Sequence, residues 1–365
     1  MKFLVTAIAA SFIAALAAVR CAAGQAQGTA TTKTCVVPSH NDSKTDDSDS
    51  ILSALRSCNN GVGGRVLFSP DVTYTVAKAM DLTFLRDIHV EIAGTILFTD
   101  DTDYWQANAF PLGFQNATSF FKLGGSGVEV SGGGTLDGNG QVWYDLYARD
   151  IYAKRPVLVA LDGLHNSTIR DLHLVNSPFW FHLVANSTDI TFSGITIDVA
   201  STSSNPAKNG DGWDTYRSSH ITIRDSQIHN SDDCVSFKPN STFITVKNLV
   251  CVGSHGVSVG SLGQYPGETD IVEHIYVHNV TMIDTTYGAR IKTWPGLASE
   301  LSGELQGGGG LGRVHNITYK SMHVHNVTSL VLIDQCYGQS NATLCEENPS
   351  NITISGINVS NVLPF

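Results

Sequence analysis

A chain of 365 residues that is 42% hydrophobic can bury one large core, and its elements need not split into separate domains. Its formal charge of -11 at pH 7, with no basic block, argues against a nucleic-acid partner. After the first twenty residues no apolar run is long enough to span a bilayer.

Met1-Lys2 followed by an apolar run from Phe3 to Val19, with small residues at Ala15, Ala17 and Ala23, reads as a secretory signal peptide over 1–23. A membrane anchor is the weaker reading, because the run is short and alanine-rich. The remaining chain, 24–365, is then one domain in an oxidising compartment. Losing Cys21 leaves six cysteines in sequence-local couples, Cys35 with Cys58, Cys234 with Cys251, and Cys336 with Cys345. Three disulfides are the natural reading, although the count alone leaves other pairings open. A zinc site is the competing reading, but no Cys-x-x-Cys occurs. Eleven Asn-x-Ser/Thr sequons suit an exposed secreted surface.

Between Cys35 and Cys58, the apolar residues Ile51, Leu52 and Leu55 share one face of a helix over Asp49 to Arg56. This is the one helix that the periodicity predicts, at the N-terminal end, as a short cap. From Gly64 the texture changes to β-forming runs, Arg65 to Phe68, Ile88 to Ile92, Thr95 to Phe98 and Val128 to Val130, separated by Gly, Asp and Asn.

A six-residue pattern then recurs, apolar at its first, fourth and sixth positions, starting at Ile169, Phe192, Ile223, Val246, Val277, Tyr319 and Ile354, with Ser226 the exception. The starts are 23, 31, 23, 31, 42 and 35 residues apart. A constant motif at uneven spacing means loops of different length inserted into equivalent turns, which is a solenoid. A β-sandwich would show hairpin turns without one motif in register. With strand-rich turns and no helix, the expected fold is all-β, a parallel β-helix.

Successive turns stack at roughly 4.8 Å, so matching offsets form columns. Asp232 and Asp233 lie nine and ten residues after Ile223, and His255 lies nine after Val246. Arg290 and Lys292 lie thirteen and fifteen after Val277, and Asp211 nineteen after Phe192. Three acids, a histidine and two cations are thereby expected in one cleft. Crowded carboxylates cannot all ionise, which leaves an acid beside a base, as glycoside hydrolysis requires. Arg290 and Lys292 suit an anionic sugar polymer. Taken singly, each residue has a plainer explanation: aspartates that bond turn backbone, a loop histidine, a surface ion network, and Trp213 and Trp294 as packing. Their occurrence in adjacent turns, in order, favours a site.

Asp211-Gly-Trp-Asp214, Ser231-Asp-Asp-Cys234, Gly253-Ser-His-Gly-Val-Ser-Val-Gly-Ser261 and Arg290-Ile-Lys292 resemble the four signature blocks of the polygalacturonases, glycoside hydrolase family 28. Trp213-Asp-Thr-Tyr-Arg-Ser218, the Gly-Ser-His form of the third block and Ile333-Asp-Gln-Cys-Tyr337 resemble its fungal exo-acting branch. The resemblance runs from about Cys35 to the end. It implies a right-handed parallel β-helix and inverting hydrolysis of galacturonate polymers without a metal or other cofactor. It implies Asp232 as general acid, Asp211 and Asp233 as activators of water, and His255 as the residue that tunes the acid. Asn209, Arg290, Lys292 and Tyr337 are the implied substrate-binding residues. Relatives continue through further turns beyond Val359-Ser-Asn-Val-Leu-Pro-Phe365, so C-terminal turns are expected to be missing.

The function expected is a secreted, monomeric exo-polygalacturonase acting on pectin, with neither nucleic acid nor membrane as a partner. Its rivals are an exo-hydrolase of galacturonate-capped rhamnogalacturonan, an inactive pectin-binding β-helix, and a calcium-dependent lyase. Without Lys2 and Arg20 the balance becomes -13, from 20 basic and 33 acidic residues, while all thirteen histidines remain. Histidines charge below roughly pH 6.5, so an acidic optimum is expected on a polyanion.

Overall fold

The computed structural model describes residues 33–298 and 307–364; the expected signal segment 1–23 lies outside them. Each β-forming run pairs in parallel with its equivalent one turn further on, and 21 strands join into a single curled sheet. Among the described residues one strand pair is antiparallel, Phe110–Pro111 with Thr118–Ser119. No described helix is long and apolar enough to cross a membrane.

The six-residue motif sets the register. Ile169, Phe192, Ile223, Val246, Val277 and Tyr319 stand opposite one another in successive turns, all buried. The last copy is corrected by five residues: Tyr319 pairs with Val359, whereas Ile354 pairs with Val314. Both hexapeptides carry apolar residues at first, fourth and sixth positions or nearly so, and hydrogen-bond pairing decides between them.

The third motif position explains why the chain bends where it does. Asp171, Gly194, Asp225, Asn248, Asn279, Ser321 and Asn361 all lie in the left-handed region, with φ between 52° and 64°. Asn, Asp and Gly tolerate that conformation best, so one corner of every turn is written in residue type. A second left-handed column runs through His220, Phe243 and His274. Their rings stack at 5.1 and 4.6 Å, which offsets part of the cost of a bulky residue there.

The helix Ser48–Cys58 buries Ile51 and Leu55 against the first turns, and Cys35–Cys58 ties it to the strand Thr34–Val36. The expectation of a single helix is corrected by Thr102–Asn108, Gln141–Tyr147 and Ala342–Glu347. Segments of six or seven residues are too short to show helical periodicity. The other two disulfides are Cys234–Cys251 and Cys336–Cys345, as the local couples suggested.

A second apolar cluster contains Leu112, Phe114, Ala117, Trp180, Leu183 and Tyr216. Leu183 alternates with the core residue Val184, so this cluster lies on the outside of the coil. It anchors the segment 110–119, whose Phe114 stacks on Tyr216 at 4.5 Å. Gln115 then donates from Nε2 to Oε1 of Gln264, 2.8 Å away, which joins this segment to one 149 residues further on.

Candidate active site

The site is built on the short strands Trp213–Tyr216, Val235–Phe237, Val257–Leu262, Tyr287–Thr293 and Ser329–Asp334, which stack in register. Alternation sends Trp213, Val235, Val257 and Ala289 into the core and turns Asp214, Ser236, Ser258 and Arg290 to the other face. Two residues after Asp214, Ser236, Ser258 and Arg290 come Tyr216, Lys238, Gly260 and Lys292. The second set brings Lys238 and Lys292 to the wall of a cleft of about 350 Å³, whereas Asp214, Ser236, Ser258 and Arg290 lie outside its lining.

Asn209, Asp211, Asp232, Lys238, Lys292 and Tyr337 line that cleft. Asp232 accepts from His255, whose Nδ1 is 3.0 Å from Oδ1, and the backbone of His255 also donates to the carbonyl of Asp232. The equal offset of nine residues read from the sequence is thus a direct contact. Asp233 is fully buried: Lys292 Nζ reaches one carboxylate oxygen at 2.5 Å and Ser258 Oγ the other at 2.7 Å. Asp211 and Asp214 share the ammonium of Lys238, at 3.7 and 3.1 Å. Asn230 pins the turn, donating from Nδ2 to the carbonyls of Gly210, Asp232 and Asp233.

Crowding separates the acids. Burial, then Asp214 and Asp232, raise Asp211 well above the usual carboxylate range, against the pull of Lys238. Burial pushes Asp214 up to about 7 although Lys238 draws it down. Burial acts upward on Asp232 too, but the hydrogen bond and charge of His255 outweigh it and hold Asp232 below its ordinary value. His255 is raised in return, chiefly by its bond to Asp232. Burial opposes the charge on Lys238 and Lys292, and the neighbouring aspartates more than restore it. Ligand atoms of Asp232, Asp233 and His255 lie within 4.8 Å of one another. Lys292 and Ser258 already engage Asp233, and that trio fits a hydrogen-bonded acid cluster better than a cation site.

The remaining expected residues flank the cleft. Arg290 sits beside Asp334 at 3.6 Å and over the rings of Tyr287 and Tyr337, and its Nε is buried with no hydrogen-bond acceptor among the described residues. Tyr337 stands edge-on to Trp294, and a Cβ on Gly338 would strike that indole at 2.4 Å. Asn209 accepts from Arg155 at 2.7 Å, and Arg155 stacks over Tyr147 at 3.7 Å. Trp213 and Trp294 are buried packing residues.

Sequence reasoning missed Lys238, Arg155, Trp180 and the Gln115–Gln264 bridge, and quoted Asp214 without assigning it a part. Lys238 carried a readable signal: it follows Phe237 as Lys292 follows Ile291. The other three come from distant segments with no shared pattern.

The profile of glycosyl hydrolases family 28 matches residues 70–364. Exopolygalacturonase X-1 of Emericella nidulans is 60% identical over 330 residues, covering 90% of this chain and 75% of that protein. Exopolygalacturonase of Cochliobolus carbonum is 60% identical over 329 residues, covering 90% and 73%. In three dimensions, endo-xylogalacturonan hydrolase of Aspergillus tubingensis superposes with a TM-score of 0.81 at 36% identity, covering 91% of this chain and 84% of that one. The polygalacturonase of Erwinia carotovora shares the fold, with a TM-score of 0.69 at 20% identity over 92% and 94% of the two chains. A parallel β-helix carrying this acid and lysine cluster, matched along most of its length by that profile, belongs to the glycosyl hydrolases of family 28.

Proposed function

We propose that the chain is a secreted exo-polygalacturonase, releasing galacturonic acid from the non-reducing ends of polygalacturonate. In this reading residues 1–23 are a leader and 24–365 one catalytic β-helix. It works outside the cell as a monomer on an acidic polysaccharide, with neither nucleic acid nor membrane as a partner. The names of the relatives at 60% identity support the substrate. The supporting observation in the site is the cleft, which Asp211 and Asp232 line together with Lys238 and Lys292.

Asp232 protonates the glycosidic oxygen as its bond to the anomeric carbon breaks; the free site holds Asp232 low and Asp211 high, so in this reading bound substrate reverses that order. His255 stands at 3.0 Å to supply the next proton. A water held by Asp211, with Asp233 behind it, attacks from the opposite face and gives its proton to Asp211. Two carboxyl groups thereby exchange roles of donor and acceptor, and the product inverts. Asn209, Arg290, Lys292 and Tyr337 hold the sugar in this reading, the two cations pairing with its carboxylate. Gln115, Asn116 and Ala117 of the latched segment 110–119 line the cleft, and a segment held there by Gln264 supports attack at chain ends.

The test is reducing-sugar release from polygalacturonate near pH 5, with products resolved by size. Wild type is expected to yield monomer from the outset, and Asp232→Asn to lose roughly 100-fold or more. Mixed oligomers at early times would overturn exo action. Release from xylogalacturonan alone would move the substrate toward that of the 36%-identical hydrolase.

A further inference from the structure

We propose that Lys238 and Asp214 together set the charge of Asp211, and so fix the pH range over which Asp211 works. The inference rests on the reading above that Asp211 is the base that activates water. Lys238 is 5% exposed, Asp211 3% and Asp214 0%, so solvent screens none of these interactions strongly. The ammonium lies 3.1 Å from Asp214 and 3.7 Å from Asp211, above the ring of Trp180 at 5.3 Å. Apart from that ammonium, no hydrogen-bond donor among the described residues reaches either carboxylate oxygen of Asp214. One cation thus serves two buried acids.

The other charged groups facing Asp211 are already committed. Lys292 is bound to Asp233 and His255 to Asp232. Arg155 bonds the carbonyls of Pro178 and Lys208 and the amide of Asn209. Asp232 and Asp233 also oppose ionisation of Asp211, each beside a cation of its own, which leaves Lys238 in favour and Asp214 against as the pair that share their partner with Asp211. Lys238 is a positioning residue, which acts on the reaction through the charge of its neighbour.

Opposite substitutions give opposite signs. Without the cation, in Lys238→Met, Asp211 takes up its proton at higher pH, and the acidic limb of kcat/KM moves up by roughly 1–2 pH units. In Asp214→Asn the competing acid is gone and the ammonium serves Asp211 alone, so the same limb moves down. Raising the pH restores activity to Lys238→Met, which a packing defect would not allow. The measurement is kcat/KM against pH for both variants and wild type on polygalacturonate, with Asp214→Asn carrying the test if Lys238→Met fails to fold. Limbs that stay where they are in the wild type, or that shift the same way in both variants, overturn the proposal. Opposite shifts on the alkaline limb instead would keep the charge control and overturn the assignment of Asp211 as base.

Discussion

His182 belongs to the packing beneath the site, on the strand that precedes Trp213 in the stack. It is 1% exposed, lies flat on Trp213 at 4.8 Å and donates from Nδ1 to the carbonyl of Gly212 at 2.8 Å. Burial holds it down to about 4, against a small opposing effect of Gly212. Its folded value lies below that of the free side chain, so the unfolded chain takes up the proton first. The stability it contributes is complete above about pH 6.5 and is lost as the pH falls through 4, by about 3 kcal/mol in all. Urea unfolding from pH 7 to 4 is expected to show a flatter decline for His182→Asn than for wild type. At this scale the sequence was half legible. Asp232 and His255 revealed their contact by equal offsets from the repeat. His182 and Lys238 have no such marker, because burial and a shared partner are properties of the assembled turns.

The turn is the repeating element, and its bend is conformationally costly unless the third residue is Gly, Asn or Asp. Ser321 is the departure, with φ at 55° and no side-chain hydrogen bond to another of the described residues. Ser321→Gly is expected to raise stability by roughly 1 kcal/mol, seen as a higher thermal midpoint with unchanged activity. The same element explains the register error. Ile354 and Val359 both start hexapeptides of suitable pattern, five residues apart in a long strand, and backbone pairing with Val314 and Tyr319 chooses. Strands of two to four residues and helices of six or seven were equally hard to read, because each is shorter than the window over which a period can be recognised.

For the whole molecule, the charge of -11 sets a limit on how a polyanion approaches. Long-range repulsion weakens as histidines charge below about pH 6.5, and salt screens it at any pH. Activity on polygalacturonate is expected to peak below pH 7. Above pH 7, KM for the polymer is expected to fall when salt is added. A pH profile peaking at or above 7 would contradict this account.

The sequence by itself determined the solenoid, favoured the local disulfide couples and pointed to the acids of the cleft. Each of these repeats, or lies close in the chain, and so leaves a mark on spacing. The tertiary structure alone decided what shares what: one ammonium between Asp211 and Asp214, Lys292 on Asp233, Arg155 on Asn209, and Gln115 latched to Gln264. Those partners are up to 149 residues apart, and they meet only because stacked turns bring unrelated loops to one face of the coil.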